Sequence, residues 1–301
     1  MSAFEIILAA AIHLTIPLAF AALGECVAER AGTLNISLEG MMLCGAFAAV
    51  AIGTATGSPT MGLILGSLAG VLVAAVHAFF SHFLAVNTFV VGLTLNVAVL
   101  GLTSILSVAI VLSPVQISQW SIPGLSSIPV LGDAVFTQRW AAFMLLPLIP
   151  ACWWLLYRTR WGLELRACGE NPQSADVSGI HVNRRRRQAL LFCGLMAGLG
   201  GAYLAVGEVG SFNDNMTAGR GFVVLAAVIF GGWRLKMTLV GCLLFGTADA
   251  LRLAMPALGY QISSPILIAA PYVLAIAAML FLAKKQRAPK ALSKPFERGL
   301  V

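Results

Sequence analysis

Charge is scarce in this chain. Only 10% of its 301 residues are Asp, Glu, Lys or Arg, against 59% apolar, whereas a soluble domain carries roughly a quarter charged residues. That scarcity excludes a soluble globular domain. Alternation of apolar and polar residues is also missing, which excludes a membrane β-barrel. What recurs instead is the apolar run of about 20 residues, long enough to cross a bilayer as a helix. The chain therefore reads as an all-α polytopic membrane protein of about 8–9 membrane segments, forming a single transmembrane domain over residues 1–301.

Chemistry-bearing patterns are equally absent. The six cysteines, at 26, 44, 152, 168, 193 and 242, show no CxxC and no pairing pattern, and read as small core residues. His77 and His82 are off a shared helical face, and no Cys/His cluster suggests a metal. There is no Ser/His/Asp set, no pair of catalytic carboxylates and no GxxxxGK[ST] loop, so neither an enzyme nor a bound cofactor is expected. The glycine-rich run Gly194–Tyr203 lacks a strand–turn–helix context and reads as close helix packing. The first residues carry Glu5 and no basic leader, and read as a first span, not a cleaved signal.

Candidate spans fall at about 6–24, 39–56, 61–82, 88–112, 139–157, 189–209, 221–233, 237–256 and 265–283. The segment 221–233 is too short for a straight crossing and is expected to be broken or re-entrant. The basic residues are gathered: seven of nineteen lie in 158–188 and six between Lys284 and Arg298. Short connections rich in Lys and Arg stay in the cytoplasm, so a loop at 158–188 and a tail at 284–301 are both expected there. The run Arg184–Arg187 reads as a positive-inside anchor, not a nucleic-acid patch. Residues 113–138, poor in Lys and Arg, are expected outside. Within the basic loop, Asn171 is a good N-cap, Pro172 suits the first helical position and Gly179 suits a left-handed end, predicting a short helix over Pro172–Ser178. Too short to hold alone in water, it needs a docking surface.

Two stretches, 24–40 and 207–221, are more polar than an anchor requires. Buried ionisable groups are costly and face one another or a watery path. Glu25, Asn35, Glu39, Asn96, Glu208, Asp214, Arg220 and Asp249 are the candidate pathway or structural polar residues. Bland readings stand beside these: Glu29 and Arg30 as solvated interfacial residues, Glu39 with Arg220 as an ion pair, and Asp249 with Arg252 as neighbours on one helix.

These stretches resemble a known family. GECVAERAGTLNISLEGMMLCGA (24–46), RACGENPQSADVSGIHV (166–182), GLMAGLGGAYLAV (194–206), MTAGRGFVVLAAVIFGGW (216–233) and LLFGTADALR (243–252) look like the permease subunits of bacterial ABC importers in the branched-chain amino acid and ribose superfamily, nucleoside/simple-sugar group. The resemblance implies inverted halves like those of the vitamin B12 importer class, in the bacterial inner membrane. It also implies a second, longer paralogous permease, two cytoplasmic ATPase subunits that bind ATP and Mg, and an extracytoplasmic substrate-binding protein. The loop like 166–183 supplies the ATPase-coupling helix in such proteins, which assigns that role to Arg166, Gly169, Glu170, Asn171, Pro172, Ala175, Gly179 and Ile180. Arg234-Leu235-Lys236 departs from the Pro-Gly-like turn of relatives. The expected cargo is a nucleoside-like solute, with ribose or another simple sugar as the alternative. A different class remains open on the residues alone: an ion-coupled transporter using Glu39, Glu208, Asp214 and Asp249 as a relay.

Overall fold

The computed structural model describes residues 3–124, 126, 132–257, 269, 273 and 287–297. Four long helices come first: α1 (Ala3–Arg30), α2 (Leu38–Thr56), α3 (Pro59–His82) and α4 (Thr88–Ala109). A two-stranded antiparallel ribbon follows, β1 (Gln119–Ser121) with β2 (Thr137–Arg139), and α5 (Gly132–Phe136) lies between its strands. A 3₁₀ turn, Trp140–Met144, leads into α6 (Leu145–Arg158). Then come α7 (Arg160–Glu170), α8 (Pro172–Val177) and α9 (Val182–Ala202), which runs on as a π-helix over Tyr203–Val209. The short α10 (Arg220–Phe230) and the long α11 (Leu235–Ala257) follow.

Among the described residues, seven helices are long and apolar enough to cross a membrane, with α10 as a shorter apolar helix. The expected span 265–283 lies outside the described residues. Two expectations need correction. The ribbon departs from an all-helical chain; it forms where a long polar connection must pair its own backbone groups. And α1 extends to Arg30 instead of stopping near residue 24, because Glu25 and Glu29 are fully buried against neighbouring helices.

One face of the bundle is defined by helix ends. Arg30, which closes α1, donates from Nε to the Trp233 carbonyl at 2.7 Å, in the turn between α10 and α11. His82, which closes α3, has Nε2 3.0 Å from Thr33 Oγ1. The loop 158–188 is on this face too, and so is the tail: Ala291 N–H donates to the Gly169 carbonyl at 2.9 Å, and Asn183 Nδ2 to the Phe296 carbonyl at 3.1 Å. The basic loop and the basic tail thus share a face, here called the loop face. At the opposite face the chain before β1 pairs with the widened turn of the π-helix, through Val115 N–H to Gly210 O and Ile117 N–H to Val206 O, both 2.8 Å. A π-turn leaves carbonyls unclaimed by its own helix, and here the ribbon's approach strand claims one of them.

The core is packed on small residues. Helices α2, α3 and α9 converge at Gly198: a Cβ on Gly45 or on Gly70 would lie 2.7 Å from its Cα. Backbones this close gain dispersion contact that lipid tails cannot match. Gly70→Leu should push α3 off α9 and cost more than the roughly 1–3 kcal/mol of ordinary overpacking. The expected result is loss of monodisperse protein in detergent gel filtration, whereas Gly101→Leu, at a site with open space around it, should leave the elution profile unchanged.

Candidate functional site

Two helices begin inside the bundle instead of at its faces. After α1 the chain turns at Gly32, whose φ of 93° is in the left-handed region, and comes back between the helices as residues 33–37. Its polar groups are met by side chains. Asn35 Nδ2 donates to Glu25 Oε2 at 3.0 Å, Ser37 Oγ donates to Asn35 Oδ1 at 2.7 Å, and Ser37 Oγ lies 2.6 Å from His77 Nδ1. His77 Nε2 is 2.8 Å from Thr88 Oγ1, which donates to the Leu34 carbonyl at 3.1 Å. Asn96 clamps both ends of the break, donating from Nδ2 to Ile36 O and accepting from Gly40 N–H, each at 2.8 Å. Irregular backbone survives within a membrane protein only where it is buried in protein or lines a watery cavity, and here side chains meet it.

The second break mirrors the first from the other side. Residues 210–219 turn inward from the far end of the π-helix, with left-handed Gly210, Asn215, Ala218 and Gly219. They deliver the start of α10, whose 11 residues span only about 16 Å, half of the hydrocarbon layer. The first turns of α2 and α10 meet: a Cβ on Gly221 would lie 2.6 Å from Glu39 Cα. Between them sits the Glu39 carboxylate, 8% exposed. Its Oε1 accepts from Thr217 Oγ1 at 2.6 Å and from Gly219 N–H at 2.8 Å, and its Oε2 accepts from Gly221 N–H at 2.6 Å. An anion here satisfies orphan N–H groups and offsets the positive ends of two helix dipoles.

The expected Glu39–Arg220 ion pair is therefore not formed. The three donors supplied by Thr217, Gly219 and Gly221 occupy Glu39, and Arg220 turns to Asp249, 3.4 Å away. Asp249 also accepts from Arg252 Nε at 2.7 Å. These three side chains, 21–34% exposed, carry one net positive charge. Two further polar pairs form elsewhere in the candidate set: Ser104 Oγ donates to Asp214 at 2.6 Å, and His13 Nδ1 is 3.3 Å from Glu208. Partly exposed charges within a membrane protein face a watery path or other protein in place of hydrocarbon, which singles out Arg220, Asp249 and Arg252 as such a surface. Glu25 and Asn35 lie apart from it, fully buried with Cys193, whose Sγ donates to Glu25 Oε2 at 3.2 Å. The solvated reading of Glu29 and Arg30 is also overturned: Glu29 is buried and accepts from Trp233 Nε1, and Arg30 holds the carbonyl of that same tryptophan.

On the loop face, α8 forms over Pro172–Val177 with the expected ends. Asn171 Oδ1 accepts from Ser174 N–H at 3.0 Å, Gly179 has φ 84°, and Ile180 N–H returns to Ala175 O at 3.0 Å. The eight residues expected to shape the coupling element divide in two. Gly169 packs on the Arg30 carbonyl, Pro172 and Ala175 are buried, Ile180 is half-buried, and Arg166 stacks over Tyr157 at 5.6 Å; these hold the element to the bundle. Glu170, Asn171 and Gly179 face out, along with Gln173 and Val177, which is 89% exposed. Cys168 lies beneath α8, and burial pushes its thiol up to about 11.

A sequence model of the family described as branched-chain amino acid transport system / permease component matches residues 7–283. The chain belongs to that family. The permease is 35% identical over 306 residues to the nucleoside ABC transporter permease protein of Lactococcus lactis subsp. cremoris, covering 97% of this chain and 96% of that one. It is 32% identical over 311 residues to the guanosine ABC transporter permease protein of Bacillus subtilis, covering 98% and 97%. A Haloferax volcanii protein provisionally named as a glucose ABC transporter permease is 37% identical over 241 residues, covering 78% and 73%. The permease is a transport subunit and not an enzyme, and it crosses the inner membrane several times.

Sequence reading missed the outward face of α8 and the side chains that complete the mid-membrane network, namely Ser104, His77, Thr88 and Thr217. The face of α8 had a signal, since Pro172 and Ala175 are spaced to share one buried side and leave Gln173 and Val177 on the other. The network residues had none, because their partners lie far away in the sequence.

Two outcomes follow from this geometry. In Glu39→Gln, the side-chain amide meets Gly221 N–H with a donor, so the purified permease should lose about 1–3 kcal/mol, measured as a lowered unfolding midpoint in detergent. On the loop face, a buried thiol pushed up to about 11 should react with maleimide at pH 8 about a hundredfold more slowly than Val177→Cys, measured by gel shift on the permease purified in detergent.

Proposed function

We propose that this permease is the membrane subunit of an ATP-driven importer of a nucleoside-like solute. The observation that carries the reading is the end-to-end similarity to nucleoside and guanosine permeases, over 97% and 98% of this chain. In this reading the loop face is cytoplasmic, and residues 158–188 form the coupling loop and residues 284–301 the basic tail. Two ATPase subunits, which bind the ATP and Mg, dock on the outward side of α8; a second, paralogous permease completes the pathway; and a binding protein delivers solute from outside. Exposed Val177 on a short, well-capped helix suits insertion into an ATPase cleft.

The two breaks support an inverted-repeat architecture like that of the vitamin B12 importer class. α2 and α10 each begin mid-membrane after segments entering from opposite faces, and their first turns meet at Glu39. Closure of the ATPase dimer pushes α8, and α8 moves α1 through the contact between Gly169 and Arg30. The half-exposed surface of Arg220, Asp249, Arg252, Asp214 and Ser104 lines the pathway. Glu39 is committed to capping α10, which disfavours its use in a proton relay.

The glucose-named relative supports a second reading, a simple-sugar importer. The complete importer in proteoliposomes should take up radiolabelled guanosine or adenosine only with ATP inside the ATPase-facing compartment, and excess ribose or glucose should not compete. Uptake of the sugar alone would select the second reading. Uptake by this chain without ATP would overturn both.

A further inference from the structure

Arg186 does not behave as the solvated anchor expected of the run Arg184–Arg187. It is 1% exposed, while Arg184 and Arg187 face outward. Among the described residues its guanidinium meets four backbone carbonyls and no carboxylate. Nε donates to Ala31 O at 3.1 Å, Nη1 to Lys294 O at 2.7 Å, and Nη2 to both Cys168 O and Ala291 O at 3.4 Å. Those carbonyls belong to the end of α1, to α7 and to the tail. A buried charge without a counter-ion is costly, and a planar fork of donors is the one side chain that reaches partners on several sides of a buried point.

The tail meets the same elements on its own account. Ala291 N–H donates to Gly169 O at 2.9 Å and Ser293 N–H to Gly32 O at 3.1 Å, Asn183 Nδ2 donates to Phe296 O at 3.1 Å, and Phe296 packs against the cluster of Cys168, Ala175 and Val182 under α8. Residues 291–296 therefore run from the end of α7, past the turn after α1, to the underside of α8. Gly32 has room for no side chain, since a Cβ there would lie 2.8 Å from Arg186 Nη2.

We propose that residues 291–296 are a strap, locked by Arg186 as its positioning residue, that makes α8 and the end of α1 move together. The inference rests on the importer reading for its functional consequence, but the strap itself is testable without it. The contact between Gly169 of α7 and Arg30 ties the loop to the end of α1 at one place; the strap adds a second tie, from Gly32 to Phe296 under α8. Force applied to α8 then reaches Gly32 and the break before α2.

Two measurements test this. Trypsin acting on the purified permease should spare the bond after Lys290, because Ala291 is buried and its N–H is bonded, and should cut it rapidly in Arg186→Gln and Arg186→Lys. Equal resistance in the variants would overturn the role of Arg186. In the reconstituted importer, removal of residues 290–301 should leave the subunits co-purifying and hydrolysing ATP while solute moved per ATP falls about tenfold. Unchanged solute per ATP would overturn the strap. Absence of ATP-driven uptake in the unmodified importer would instead sink the importer reading, with the trypsin result still deciding the strap.

Discussion

The structure depends on placing one carboxylate between two helix starts. α2 and α10 begin deep in the bundle with their positive ends together, and unopposed N–H groups in hydrocarbon cost several kcal/mol each. Glu39 answers three donors at once and leaves Arg220 free for Asp249. The rest follows from that arrangement. Asn96 must hold the opposite flank of the first break, Gly221 must lack a side chain, and the 210–219 segment must adopt repeated left-handed turns to deliver its N–H groups.

The long helices were legible in the sequence because length and hydropathy are local properties. So was the short α10, since 221–233 is simply too brief to cross. The short helix α8 was legible down to its cap, because Asn171, Pro172 and Gly179 act on their own neighbours. Burial of polar groups was not legible. Glu29, Arg30 and Arg186 read as solvated because each sits beside other polar residues, yet each has a partner more than a hundred residues away, at Trp233 or in the tail. The partners of Glu39 were hidden for a further reason: two of its three donors are backbone N–H groups, which carry no residue identity.

The loop face shows how a six-residue helix stays ordered. Such a helix has too few internal bonds to offset its nucleation cost. Pro172 and Ala175 anchor one side of α8 beside Cys168 and Val182, with Phe296 brought up from the tail. Half of the motif that identifies the loop therefore serves attachment, and the surface offered outward is small, including Glu170, Asn171, Gln173, Val177 and Gly179.

Where α2, α3 and α9 close on Gly198, backbone touches backbone. Side chains at an ordinary helix interface can change rotamer and let one helix slide past another; a glycine seam has nothing to rotate. These three helices consequently form a stator, and any shape change in the permease has to be taken up by elements outside it, among them α10 and α11, which meet at the loop-face turn gripped by Arg30.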